Sequence, residues 1–190
     1  MTNQEYSYIA EKEVRTYAYL FRTAQDSLAR AEANEEGRFY QIMSSLVFSA
    51  FALEAFFNHL GEIEIECWGE IERIGPAQKL NVLYHHLNLD FSASNRPIQT
   101  VTQLLRFKTF MAHGRTERLK TEGVLSTPRP DPGQSLIDGQ WEKFCNVDEA
   151  RRGLHDVKEV IETMAGAANI GGYSLFSLGH QSHSIGLTEP

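Results

Sequence analysis

The sequence predicts an all-α protein, an antiparallel up-and-down bundle of four to five helices with one long loop insertion between the last two helices. Three observations carry this prediction. Apolar residues recur at three- and four-residue steps in several separate stretches, the mark of amphipathic helices. The connections between those stretches are short apart from one proline-rich region, as antiparallel neighbours require. The chain has 190 residues, 42% hydrophobic and 23% charged, which suits one domain with a real core and not a disordered sequence. That domain is expected over residues 1–168, with 169–190 as a Gly/Ser-rich tail.

The first helix is expected from Glu5 to Asn34, on the stripe Val14, Tyr17, Phe21, Ala24, Leu28 and Ala31. Asn34 to Gly37 supplies a stop. The second helix starts near Arg38 and is apolar almost all round, through Ile42, Leu46, Val47, Phe48, Phe51, Leu53, Phe56, Phe57 and Leu60. Such a helix is the most buried of its domain, and its aromatics read as core. Gly61 to Gly75 alternates like a strand at Glu62–Glu66 but also steps helically through Leu60, Ile63, Cys67, Ile71 and Ile74. Helix is the expectation, because a lone strand would lack a partner.

Gly75-Pro76 opens a shorter helix through Leu80, Leu83, Tyr84 and Leu87, proline being tolerated in a first turn. After a loop at 88–96, Pro97 starts another helix through Val101, Leu104, Leu105 and Ala112. Gly114 follows it, the residue type most common just past a helix end. Residues 115–145 read as the insertion, with Pro128, Pro130, Pro132 and Gly133 crowded together. Asn146 then caps the last helix, with Asp148 and Glu149 in its first turn and Leu154, Val157, Ile161 and Met164 on its stripe.

Net charge is −7, from 18 Lys+Arg against 25 Asp+Glu, so the protein as a whole is not a polycation built to coat nucleic acid. Two cysteines, Cys67 and Cys145, are too few for a disulfide scaffold and fit reduced thiols. Met1 to Glu13 has no apolar leader core. The greasy run from Ile42 to Leu60 is broken by Ser44, Ser45, Ser49, Glu54, Asn58 and His59, which argues for a bundle core over a membrane span. The expected location is cytoplasmic, away from membranes.

The positive charge is concentrated. Between Arg96 and Lys120 stand Arg96, Arg106, Lys108, Arg115, Arg118 and Lys120 against one acid, Glu117, a local charge of +5. The bland account is a solvated helix end, where basic residues also offset the C-terminal dipole; the sharper one is a phosphate-binding patch. Arg106 and His113 are seven residues apart, two helical turns, so they project from nearly the same face with Phe110 between them. Lys108 falls on a different face. A histidine that exchanges protons beside a fixed cation is the minimum for cleaving an RNA backbone without metal or cofactor.

The string Leu104-Leu105-Arg106-Phe107-Lys108-Thr109-Phe110-Met111-Ala112-His113-Gly114 resembles the signature of HEPN domains, an arginine followed after four to six residues by histidine. Ser49-Ala50-Phe51-Ala52-Leu53-Glu54-Ala55-Phe56-Phe57-Asn58 is similar to the buried second helix of that family, and Ala77-Gln78-Lys79-Leu80 to the start of its short third helix. The resemblance covers roughly residues 5–168. It implies a dimerising helical bundle in which Arg106 and His113 of each subunit meet at the interface. The implied activity is metal-independent endoribonuclease chemistry, in a toxin or phage-defence effector partnered by an antitoxin or regulatory protein. His113 would be the proton-transfer group and Arg106 the cation on the phosphate. Many members carry the arginine five residues before the histidine, where this chain has Lys108 followed by Thr109, so either Arg106 or Lys108 is the functional cation. A toxin subgroup has tyrosine two residues after the histidine, where this chain has Arg115.

Arg115, Arg118 and Lys120 are expected as RNA-binding residues. Glu54 and Asn58, i and i+4 on the most apolar helix, read either as a structural network or as support for Arg106 and His113. His59, His85 and His86 lack metal-ligand spacing, and His180-x-x-His183 reads as tail. Two functions follow: a ribonuclease, and a catalytically silent HEPN-fold module that dimerises or binds a partner protein or nucleotide.

Overall fold

The structure, a computed structural model, describes residues 6–122, 137–170 and 175–187. Its elements run β1 (Tyr6–Lys12), α1 (Thr16–Ala33), α2 (Arg38–Glu64), α3 (Trp68–Ile71), α4 (Pro76–His86), α5 (Ile98–His113), α6 (Gln140–Phe144), α7 (Val147–Ala167) and β2 (Gln181–Leu187). The fold is all-α in character, with one small two-stranded ribbon added.

The helix directions follow from which ends touch. Tyr17, early in α1, packs its ring on Phe56 and His59 late in α2, while Arg38 Nε donates to the Ala31 carbonyl at 2.9 Å at the opposite end. Arg151 in α7 reaches Glu32 at the end of α1, and the Tyr17 hydroxyl donates to the Leu175 carbonyl beyond α7. Arg96, ahead of α5, bonds Asp156 in α7, and Phe107 meets Phe144 ahead of α7. So α1 runs against α2 and α7, and α5 runs against α7.

Between them lies α2. Its Leu46, Leu53, Phe56, Phe57 and Leu60 are fully buried, each such side chain contributing roughly 1.5–3 kcal/mol by leaving water. This helix is long and apolar enough to cross a membrane, with mean hydropathy 1.3 over its most apolar stretch. Here that apolar surface meets α1, α4, α5 and α7 instead. Its aromatics do not all serve the core as the sequence suggests: Phe51 is 38% exposed, and it pairs edge-on with half-buried Phe48. Late in α2, a Cβ at Gly61 would come within 2.2 Å of the Trp68 ring. Glycine there is what lets the indole lie flat against the helix backbone, so α3 folds under the end of α2.

The structure corrects the sequence reading in four places. Residues 6–12, expected as the first helical turns, are strand β1; α1 begins only at Thr16. The expected tail supplies β2, antiparallel to β1 with Tyr6 opposite Leu187 and Lys12 opposite Gln181. Backbone bonds from Glu13 N to the His180 carbonyl and from Arg15 N to the Leu178 carbonyl continue the pairing. Gly179, at φ +111°, stands so close to the Glu13 carbonyl that a side chain would collide with it. Across 61–75 the helical choice holds, but the helix is broken: Ile65 is extended and α3 is a separate turn. Within the expected insertion, Gln140–Phe144 forms α6, with Gly139 N donating to Glu142 Oε2 at 2.6 Å; Pro128, Pro130, Pro132 and Gly133 lie outside the described residues.

Other elements match their sequence signals. Pro76 sits at the start of α4, and Asn146 Oδ1 accepts from Glu149 N at 2.9 Å to cap α7. His113 is the last residue of α5, directly before Gly114.

Candidate functional site

Seven residues along a regular α5 rotate the side chain by two near-whole turns, so Arg106 and His113 share the outer face of the helix about 10 Å apart along its axis. Both are exposed, and Thr102, Thr109 and Phe110 lie on the same side. Across from this face runs the start of α4. Between Gly75–Gln78 and α5 opens a groove of about 770 Å³, with Arg106, Thr109, Phe110 and His113 on one wall and Arg115 and Glu117 at its end.

Neither the Arg106 guanidinium nor the His113 imidazole makes a hydrogen bond or ion pair with any described residue. Thr109 Oγ1 is turned inward along its own helix and donates to the Leu105 carbonyl at 2.9 Å. A cation and an imidazole that have no partner among the described residues, at an open groove, are equipped to meet an anion and to exchange a proton.

Lys108 is elsewhere. Two residues from Arg106 is about 200° around the helix, which turns Lys108 toward α2. Its Nζ lies 2.6 Å from Glu54 Oε2 and 5.6 Å from the centre of the Phe51 ring. The alternatives for the cation therefore separate: Arg106 shares the groove with His113, and Lys108 belongs to a bundle contact. Within the chain Glu54 pairs with Lys108, and not with Arg106 or His113, which the sharper sequence reading had it orienting. Asn58 likewise faces a different partner, accepting from the buried Lys79 ammonium at 2.7 Å. Both are links between helices, because a polar group on the central helix needs a partner within reach.

Of the expected RNA-binding residues, Arg115 lines the groove, while Arg118 and Lys120 follow in the exposed stretch beyond α5. Lys120 pairs with Glu122 at 2.5 Å. A second groove of about 650 Å³ lies on the other flank of α5, between Gln103, Phe107 and the α6 region, with Trp141, Phe144 and Arg152 on its far wall. Arg106, Phe110 and Glu117 border both grooves. The sequence gives the α5 face through its spacing. It gives no sign of the opposing wall at Gly75–Gln78, which reaches α5 only through tertiary packing.

Other titratable clusters are ion-pair networks. Both Asp156 oxygens accept from Arg96, at 2.6 and 2.8 Å, although His155 and Glu159 bring ligand-type atoms within 4.8 Å. Burial drives the Asp156 carboxyl upward, but hydrogen bonds from Arg96, Thr100 and His155 outweigh it and hold the group below its ordinary value. Burial pushes the His59 imidazole down and the Cys145 thiol up to about 11.

Compared with known proteins, the chain matches no family model, no curated protein and no solved structure.

Proposed function

We propose that this protein is a metal-independent endoribonuclease of HEPN type, acting as a homodimer. The observation that carries the reading is the placement of Arg106 and His113, neither partnered among the described residues, on one helix face and along one shared groove. In the reaction, an imidazole takes the proton from a ribose 2′-hydroxyl and the oxygen attacks the adjacent phosphorus. The P–O5′ bond breaks, leaving a 2′,3′-cyclic phosphate, and the departing 5′-oxygen receives a proton. Arg106 stabilises the charge that grows on the phosphoryl oxygens. One chain offers one histidine to this groove, whereas the reaction uses a base and an acid. A second copy supplies the second histidine, which is the chemical argument for the dimer. The RNA-binding roles of Arg115, Arg118 and Lys120 belong to the same proposal, as do a toxin or defence role and an antitoxin or regulatory partner.

A second reading has its own support. Gly75, Pro76, Ala77, Leu105 and Phe110 give the groove mainly apolar walls, and the net charge is −7. Such a groove suits a silent interaction module that binds a partner protein.

The test is cleavage of a mixed pool of single-stranded and structured RNA in EDTA. Wild type is compared with His113→Ala and Arg106→Ala, each first checked for folding and self-association. Cleavage that leaves 2′,3′-cyclic ends and is lost in both variants supports the nuclease. A folded wild-type dimer that leaves every RNA intact rejects it in favour of the module.

A further inference from the structure

Resting on the ribonuclease reading, we infer that Phe110 is a stacking platform that restricts the site to unpaired nucleotides. Phe110 is one helical turn from Arg106 and one from His113, so its ring stands between the two groups assigned to the scissile phosphate. It borders both grooves and therefore stands on the ridge between them. The ring is 38% exposed, and among the described residues no other ring and no cation lies over it. Phe39 and Phe51, exposed to a similar degree, are covered by neighbours, Phe39 by Tyr40 and Trp141 and Phe51 by Phe48 and Lys108. The more exposed Tyr8 and Tyr19 stand on β1 and α1 and line neither groove.

A nucleotide whose phosphate lies against Arg106 carries its base within reach of this ring. In a duplex the base faces are hidden in the stack, and only an unpaired base can present one. Phe110 therefore sets which RNA conformation is bound, while Arg106 and His113 set what happens to it. The residue is a specificity determinant and takes no part in proton transfer.

The experiment measures fluorescence anisotropy with a short 2′-O-methyl RNA of mixed sequence, which cannot be cleaved. It is offered single-stranded and annealed to its complement, to wild type, Phe110→Tyr, Phe110→Leu and Phe110→Ala. The same proteins are assayed for cleavage of the unmodified strand and for self-association. Tighter binding of the single strand by wild type is expected. Phe110→Ala and Phe110→Leu should weaken it by roughly five- to hundredfold, a range set by the worth of one stacked base. Phe110→Tyr should retain it, and duplex binding should be unmoved by all three.

Equal binding of duplex and single strand, or unchanged single-strand affinity in Phe110→Ala, overturns the stacking role while leaving cleavage intact. Full affinity in Phe110→Leu also overturns it, because an aliphatic side chain has no ring to stack. Loss of self-association in Phe110→Ala assigns the ring to a second copy of this chain and removes it from RNA recognition. Wild type that neither binds nor cleaves any RNA sinks the ribonuclease reading first and this inference with it.

Discussion

The Lys108 ammonium lies 2.6 Å from Glu54 Oε2, and this contact points it into the bundle while Arg106, two residues earlier, faces the open groove. The two cations of α5 are thereby divided between a contact inside the bundle and the wall of the groove, and the proposed ribonuclease reading assigns the phosphate to the second. Lys108→Ala should cost stability of about 1 kcal/mol, the scale of a half-shielded ion pair, and leave RNA cleavage near wild type. Arg106→Ala should do the reverse, keeping the melting temperature and losing cleavage. Thermal melts and cleavage rates on both variants check this. Cleavage abolished in Lys108→Ala with Arg106→Ala active would transfer the phosphate role to Lys108.

Gly61→Ala should be among the most damaging small substitutions. Its methyl would occupy space already held by the Trp68 indole, and overpacking of a tight core costs about 1–3 kcal/mol. Trp68 is 1% exposed, so its displacement is visible as a red shift of tryptophan emission. Measured in a Trp141→Phe background, an unshifted spectrum and unchanged melting temperature would show that α3 yields without cost.

Stability should fall with acidity in two steps. Burial, with the Arg15 charge adding to it, lowers the His59 value in the folded state, so the unfolded chain takes the proton more readily. That contribution is complete above about pH 6.5, the ordinary histidine value, and is lost as pH drops toward the lowered folded value. Asp156 is also held low, so its contribution is present above about pH 4 and is lost below it. Melting temperature against pH should therefore drop first in the mildly acidic range. His59→Gln should flatten that first drop alone, and Asp156→Asn the second. A His59→Gln curve parallel to wild type would remove His59 as its source.

The two thiols should differ in reactivity. Cys67 is exposed, whereas Cys145 is buried and its thiol is pushed up to about 11, by burial first and by the Glu142 charge second. The thiolate is the reactive form, so iodoacetamide on the native protein at neutral pH should give one adduct, at Cys67. Peptide mapping of a second, equally fast adduct at Cys145 would mean that the segment around α6 opens readily.

The helices were legible where a local signal decides the local structure. Asn146 with two acids behind it starts α7, and Pro76 starts α4, because capping and proline chemistry act within one turn. The shared face of Arg106 and His113 was legible for the same reason, since a regular helix turns spacing into direction. What faces that helix was not. The wall at Gly75–Gln78, the partners of Glu54 and Asn58, and the exposure of Phe51 depend on how helices distant in sequence settle against each other. The ribbon was the clearest loss: Ser7-Tyr8-Ile9 becomes strand only because Ser184, Ile185 and Gly186 lie opposite it.

That ribbon also makes the described chain nearly circular. Tyr6 and Leu187 stand across one ladder, about 5 Å apart as neighbouring strands are, so closing it requires gathering all the residues between them into one loop. The side chains of residues 7–12 and 181–185 are exposed, Tyr8 at 77% and Ile185 at 67%, and return little for that entropy before the helices have assembled. The ribbon is therefore the final clasp to fasten and the earliest to release. Its amides should exchange with deuterium well ahead of those in α2, while the helical interior remains protected.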